Sequence, residues 1–127
     1  GRLSGGEKQR VIIAKAVAQN PNLFLFDEPT SDLDLKNQIE VMKELRKIVT
    51  EEDGKAALIA IHDINIASRF SDRIMLLHEG KIISNGKPSD VLTPENIGLV
   101  FEVSSNQVMG EDGILRIVIN DEIKTEK

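Results

Sequence analysis

With 127 residues, 40% of them apolar, and a formal net charge of −5, the chain has room for about one domain and enough apolar content for an ordinary core. Aromatics make up only 3%, with neither Trp nor Tyr, so that core is aliphatic, and the acidic balance offers no basic stripe for nucleic acid or an anionic membrane. Cysteine is absent, which excludes a disulfide framework and thiolate chemistry; no apolar run approaches the ~20 residues that cross a bilayer and no signal-peptide pattern occurs, so a soluble, cytosolic chain is expected.

In chain order, Ser4 followed three residues later by Glu7 is a capping-box pattern, and it opens a helix over about residues 6–19 that Asn20-Pro21 ends. Val11, Ile12, Ala14, Ala16 and Val17 supply its expected apolar side. Two glycines in its first turn, Gly5 and Gly6, cost up to ~1 kcal/mol each relative to Ala, a cost that close approach to a ligand would justify. Such a helix start presents free amides and partial positive charge, which suits an anion. The alternative is an ordinary capped helix.

Leu23-Phe24-Leu25-Phe26 is a short apolar run between turn signals, read as a strand buried on both faces of a parallel sheet. It ends in Asp27-Glu28-Pro29, at the end of the strand where α/β proteins handle ligands. Adjacent strand positions point to opposite sides, so the two acids are expected to do different jobs. Taken alone, the pair could equally be a solvated strand end. Asp34 caps a second helix, residues 35–50, whose buried stripe is expected at Leu35, Ile39, Met42, Leu45 and Val49; Lys36, Glu40, Lys43, Glu44 and Lys47 form its solvated face. Residues 56–61 form another buried strand leading to His62-Asp63, where the histidine is either structural or functional. A short helix (64–70), a strand (73–78), a turn at Glu79-Gly80 and a return strand (81–85) follow. His78 beside that turn reads as an ordinary residue. Beyond Gly86 come two short helices (89–92 and 94–101), strands at 103–109 and 114–119 around a turn at Gly110-Glu111-Asp112-Gly113, and a charged tail over 121–127.

Together, Leu3-Ser4-Gly5-Gly6-Glu7-Lys8-Gln9-Arg10, the strand ending at Asp27-Glu28, the segment Thr30-Ser31-Asp32-Leu33-Asp34 and His62 resemble the signature motif, Walker B strand, D-loop and switch histidine of an ABC-type ATPase, in that family's order. The resemblance implies an α/β P-loop NTPase core: residues 1–86 as the C-terminal part of the ATPase domain, with its parallel sheet and flanking helices, and residues 87–127 as a small α+β extension. It implies ATP and Mg²⁺ as cofactors. Ser4, Gly5 and Gly6 would touch the γ-phosphate of ATP held by the opposite subunit. Asp27 would hold Mg²⁺ through water, Glu28 would orient or deprotonate the attacking water, His62 would sense the γ-phosphate, and Ser31 and Asp34 would couple the two sites. The implied partners are a second ATPase subunit in a homodimer, transmembrane permease subunits and, indirectly, an extracytoplasmic binding protein. The implied place is the cytoplasmic side of the membrane, peripherally, with no nucleic acid.

One departure qualifies the match: no G-x-x-x-x-G-K-[ST] phosphate loop occurs anywhere in the chain, and the Gln-loop expected ahead of the signature is missing too. The expectation is a C-terminal half that neither holds ATP tightly nor hydrolyses it alone, and that self-associates through an unpaired apolar sheet edge. The run His62-Asp63-Ile64-Asn65-Ile66-Ala67, then Ser71-Asp72-Arg73, Glu79-Gly80-Lys81 and Val91-Leu92-Thr93-Pro94-Glu95-Asn96 looks most like importers of metal chelates such as iron siderophores, haem or cobalamin. Importers of polar amino acids or other cargo are alternatives. ABC ATPases of DNA repair would call for heptads or a basic surface, which are not seen. A non-catalytic, partner-binding piece is a third reading.

Overall fold

The structure, a computed structural model, describes residues 4–124. The chain divides into two compact units, Gly1–His62 and Asp63–Lys127. This is one unit more than length alone suggests, and the division between them does not coincide with the sequence boundary expected at residue 86.

The first unit runs α1 (Gly5–Ala18), β1 (Leu23–Asp27), α2 (Leu35–Glu51) and β2 (Ala56–Ala60). The capping box at the start of α1 forms as the sequence implies: Glu7 N donates to Ser4 Oγ at 3.1 Å and Ser4 N donates to the Glu7 carboxylate at 3.3 Å. Asn20, in the left-handed region at φ 50°, and then Pro21 stop the helix. Asp34 caps α2 by accepting from Asn37 N at 2.8 Å. The two strands pair in parallel, from Leu23 opposite Ala56 to Asp27 opposite Ala60, with α2 as the crossover.

Burial in this unit departs from expectation in three places. Phe24 is buried and Phe26 half-buried, their rings stacked 6.0 Å apart, but Leu23, Leu25 and Leu58 are exposed, Leu25 by 69%. The β1–β2 pair is therefore covered on one face, not two. In α2, Val41, Met42 and Leu45 are buried while Leu35 is 80% exposed, because Leu35 is the first helical residue and lies beyond the packed stretch. On α1 the buried apolar side chain is that of Ile13, whereas Val11, Ile12 and Val17 are exposed.

The second unit runs α3 (Ile64–Phe70), β3 (Ile74–His78), β4 (Lys81–Gly86), α4 (Pro88–Val91), α5 (Pro94–Phe101), β5 (Val103–Met109) and β6 (Leu115–Glu122). Two antiparallel hairpins build it. Glu79 and Gly80 both have positive φ, 50° and 76°, as a tight two-residue turn between right-twisted strands requires. Leu76, Val91, Leu92, Ile97, Leu115 and Ile117 form its core, with Val91 and Ile97 fully buried. Asn65 stands in for a strand partner: its Nδ2 donates to Ile117 O at 3.0 Å and its Oδ1 accepts from Ile117 N at 2.8 Å, while Ser68 Oγ donates to Leu115 O. These bonds pin α3 to β6 by satisfying backbone groups that would otherwise be left unpaired.

The charged tail starts later than expected. Asp121 and Glu122 belong to β6, and Ile123 N donates to Glu102 O at 2.8 Å, so the segment is tied in through residue 123. Residues 125–127 of that expected tail, and Leu3 of the signature, lie outside the described residues.

Candidate active site

The parallel register sets the site. Asp27 sits opposite Ala60, and Glu28 N donates to Ala60 O at 2.8 Å, one step past the last paired position. That step brings the residue after β1 beside the residues after β2. Glu28 Oε2 and His62 Nδ1 lie 2.8 Å apart, with the histidine side chain 78% exposed and the glutamate 35%. Glu28 has a φ of 50°, in the left-handed region that a side chain with a Cβ seldom adopts. The surrounding turns hold it there: Ser31 N donates to Glu28 O at 3.1 Å, Leu33 N donates to Thr30 O, and Pro29 and Thr30 are buried. Backbone strain of this kind costs of order 1–3 kcal/mol and gathers where a side chain must be aimed.

Asp27 ends the strand on the same face as Leu23 and Leu25 and is exposed. The two acids therefore leave the strand in different directions, and Glu28 meets His62. Among the described residues no group of three or more His, Cys, Asp or Glu side chains could enclose a metal ion. A single exposed carboxylate fits Mg²⁺ only in the manner that ion favours, with most of its ligands from water and phosphate.

Ser31, Asp32 and Asp34 are exposed in the loop between Glu28 and α2, and Asp32 also has a positive φ, 62°. Gln38 Nε2 donates to Leu33 O at 3.0 Å and fastens this loop to the first turn of α2. At the start of α1, Ser4 and Gly5 are exposed and Gly6 is buried. Ser4 Oγ accepts from Glu7 N, which leaves its hydroxyl proton free to donate to an anion. The amides of Gly5 and Gly6 belong to the first turn, where a helix has no acceptors of its own.

The glycines also have a packing reason to be small. A Cβ on Gly5 would lie 3.0 Å from Leu33 Cδ2, and one on Gly6 would lie 2.9 Å from Asn37 Oδ1. The start of α1 thus rests against the segment that joins the Glu28 loop to α2. A second tie was not expected from the sequence: Arg10 Nη2 donates to Glu40 at 2.5 Å and Arg10 Nε to Glu44 at 3.1 Å. The hydrogen bonds it donates to Glu40 first, then Glu44, raise the guanidinium pKa further above its ordinary value. Glu40 and Glu44 are therefore not merely a solvated face.

Comparison with known proteins finds relatives in one family. The family model described as ABC transporter matches residues 1–31, which hold the start of α1 and the strand with its two acids. An uncharacterised ABC transporter ATP-binding protein of Methanocaldococcus jannaschii is 47% identical over 103 residues, covering 81% of this chain and 40% of that protein. A hemin import ATP-binding protein of Rhodopseudomonas palustris is 39% identical over 120 residues (88% and 44%), and an iron(3+)-hydroxamate import ATP-binding protein of Bacillus subtilis is 42% identical over 106 residues (84% and 39%). Among solved structures, a metal-chelate type ABC transporter in an inward-facing conformation superposes with a TM-score of 0.80 at 29% identity, over 93% of this chain and 48% of that one. A dimeric ATP-binding cassette in a post-hydrolysis state, bound to ADP and Pi, gives 0.59 at 45% identity over 68% and 36%.

The fold and the matched motifs define a P-loop NTPase of the ABC class. The chain belongs to the ABC transporter ATP-binding family, and its named relatives include proteins for import of haem, cobalamin and iron(3+)-hydroxamate. It spans less than half of the length of the curated relatives described.

Proposed function

We propose that this chain supplies one side of a composite ATP-hydrolysing site in an importer of metal chelates, and that the phosphate loop is supplied by sequence other than these 127 residues. The observation that carries the proposal is the Glu28–His62 contact at the carboxyl end of a parallel strand pair. In this reading Glu28 holds and deprotonates the attacking water, and His62 orients Glu28 from one ring nitrogen while its other nitrogen faces the γ-phosphate. Asp27 holds a Mg²⁺-bound water, and the ion, when present, neutralises charge on the phosphate oxygens.

Ser4, Gly5 and Gly6 present a hydroxyl and amides to the γ-phosphate of a nucleotide held by a second copy, while Ser31 and Asp34 link that contact to Glu28 through the loop between them. Residues 1–86 would carry the ATPase chemistry and 87–127 an extension; the residues likened to the signature, Walker B strand, D-loop and switch histidine all lie in the first of these. The cargo assignment rests on the names of the relatives and on the metal-chelate type transporter that superposes over 93% of the chain. Association with a permease at the cytoplasmic face of the membrane follows from the same relatives; among the described residues no helix is long and apolar enough to cross a membrane.

The test is His62→Ala in the complete ATPase. Hydrolysis at saturating MgATP is expected to fall on the order of 10²–10³-fold, the worth of one preorganised donor to developing charge, with ATP binding retained. Unchanged turnover would remove His62 from the site.

These 127 residues alone are expected to lack activity and to associate. Among the described residues the β1–β2 pair forms a two-stranded sheet, so each strand has one unpaired edge beside the exposed Leu23, Leu25 and Leu58, and such edges recruit other chains. Light scattering is expected to show oligomers that grow with concentration; a monomer persisting at high concentration contradicts this.

A further inference from the structure

Helices α1 and α2 run side by side in the same direction, because contacts near their starts and further along keep the same order. Gly6 faces Asn37, and one turn later Arg10 reaches Glu40 and Glu44. The two carboxylates sit four residues apart on one face of α2, and the guanidinium takes one oxygen from each through different nitrogens. A planar fork held by two acceptors fixes both the spacing and the rotation of α1 against α2. A point charge such as Lys fixes neither.

Both helix starts belong to the proposed site. Ser4, Gly5 and Gly6 lie just ahead of Arg10, and the loop from Glu28 to Asp34 leads directly into α2. We propose that Arg10 is a positioning residue, whose fork on Glu40 and Glu44, with the close Gly6–Asn37 contact, makes the glycine turn of α1 and the Glu28–Asp34 loop move as one piece. A phosphate drawn onto Ser4 and Gly5 would then shift the loop carrying Glu28, so that contact at one nucleotide adjusts the water-holding carboxylate at the other. This rests on the proposed function above and names the residues through which its two halves communicate.

An ordinary surface ion pair would do none of this. Arg10, Glu40 and Glu44 are each about two-fifths exposed, and pairs so exposed add little to stability. The two readings therefore differ in what Arg10→Met changes. If Arg10 positions the loop, kcat of the complete ATPase falls on the order of 10- to 100-fold, while KM and melting temperature stay near wild type.

Removing the other side of the fork with Glu40→Gln and Glu44→Gln should produce the same loss, and the triple variant should be no worse, since one interaction cannot be lost twice. Arg10→Lys, which folds with its charge kept, should remain impaired. A drop in melting temperature with unchanged kcat, or losses that add in the triple variant, would overturn the proposal. Turnover that depends on Glu28 yet ignores Arg10→Met would sink this inference alone. Turnover indifferent to both Glu28 and Arg10 would sink the functional reading with it.

Discussion

In the complete ATPase, Glu28→Gln is expected to slow hydrolysis on the order of 10²–10⁴-fold, the usual worth of a positioned general base, while ATP still binds. The substitution keeps the shape of the side chain and removes its negative charge and its capacity to take a proton. Its amide can still meet His62 across the 2.8 Å now spanned by the carboxylate, so the loop from Glu28 to Asp34 should keep its turns. Single-turnover measurement separates this from a binding defect: loss in the chemical step with unchanged nucleotide affinity supports the assignment. Wild-type turnover would show that Glu28 is only the end of a strand.

The second large effect belongs to Gly5. Gly5→Trp is expected to leave nucleotide binding by a single subunit intact, to abolish ATP-driven pairing of two subunits and to lower turnover on the order of 10²-fold, as misplacement of a reacting group does. The structure separates the two glycines as test sites. At Gly5 the added Cβ meets the flexible end of Leu33, and the residue is exposed, so the ring can stand out where a partner's phosphate would come. At Gly6 the same atom runs into Asn37 in a buried contact, so a replacement there would disturb the packing of α1 on α2 as well. Sizing columns run with and without MgATP read the result. Normal pairing by Gly5→Trp would remove the glycine turn from the interface.

The strands, the caps and the acids were legible because each depends on a few neighbouring residues: an apolar run closed by Pro29, a Ser4–Glu7 box, an Asp34 cap, a Glu79-Gly80 turn. What the sequence did not show depends on what lies across space. Whether Leu23 and Leu25 are covered is decided by what packs on the sheet, and in this chain the helices of their unit cover only the opposite face. The apolar residues of α1 fall around more than one side, so periodicity did not single out Ile13, which follows Gly6 and Arg10 along the helix and is the one buried. The Arg10 fork joins residues 30 and 34 apart, and the Asn65 bonds to Ile117 span 52. Neither carries a local signature. The pairing of Glu28 with His62 is also distant in sequence, but it follows from parallel register once both strand ends are placed.

The central claim is that Ser4–Gly6 of one copy and Glu28 with His62 of another act on the same triphosphate. The most direct measurement mixes two variants of the complete ATPase, Gly5→Trp and Glu28→Gln, each expected to be inactive, in dimers assembled on the proposed permease. In a mixed dimer one site combines an intact glycine turn from the second variant with an intact Glu28 from the first. The account predicts that turnover returns on mixing, though each variant alone stays near its residual rate. Mixed dimers that remain as inactive as their parents would contradict it, because each copy would then need both elements for itself.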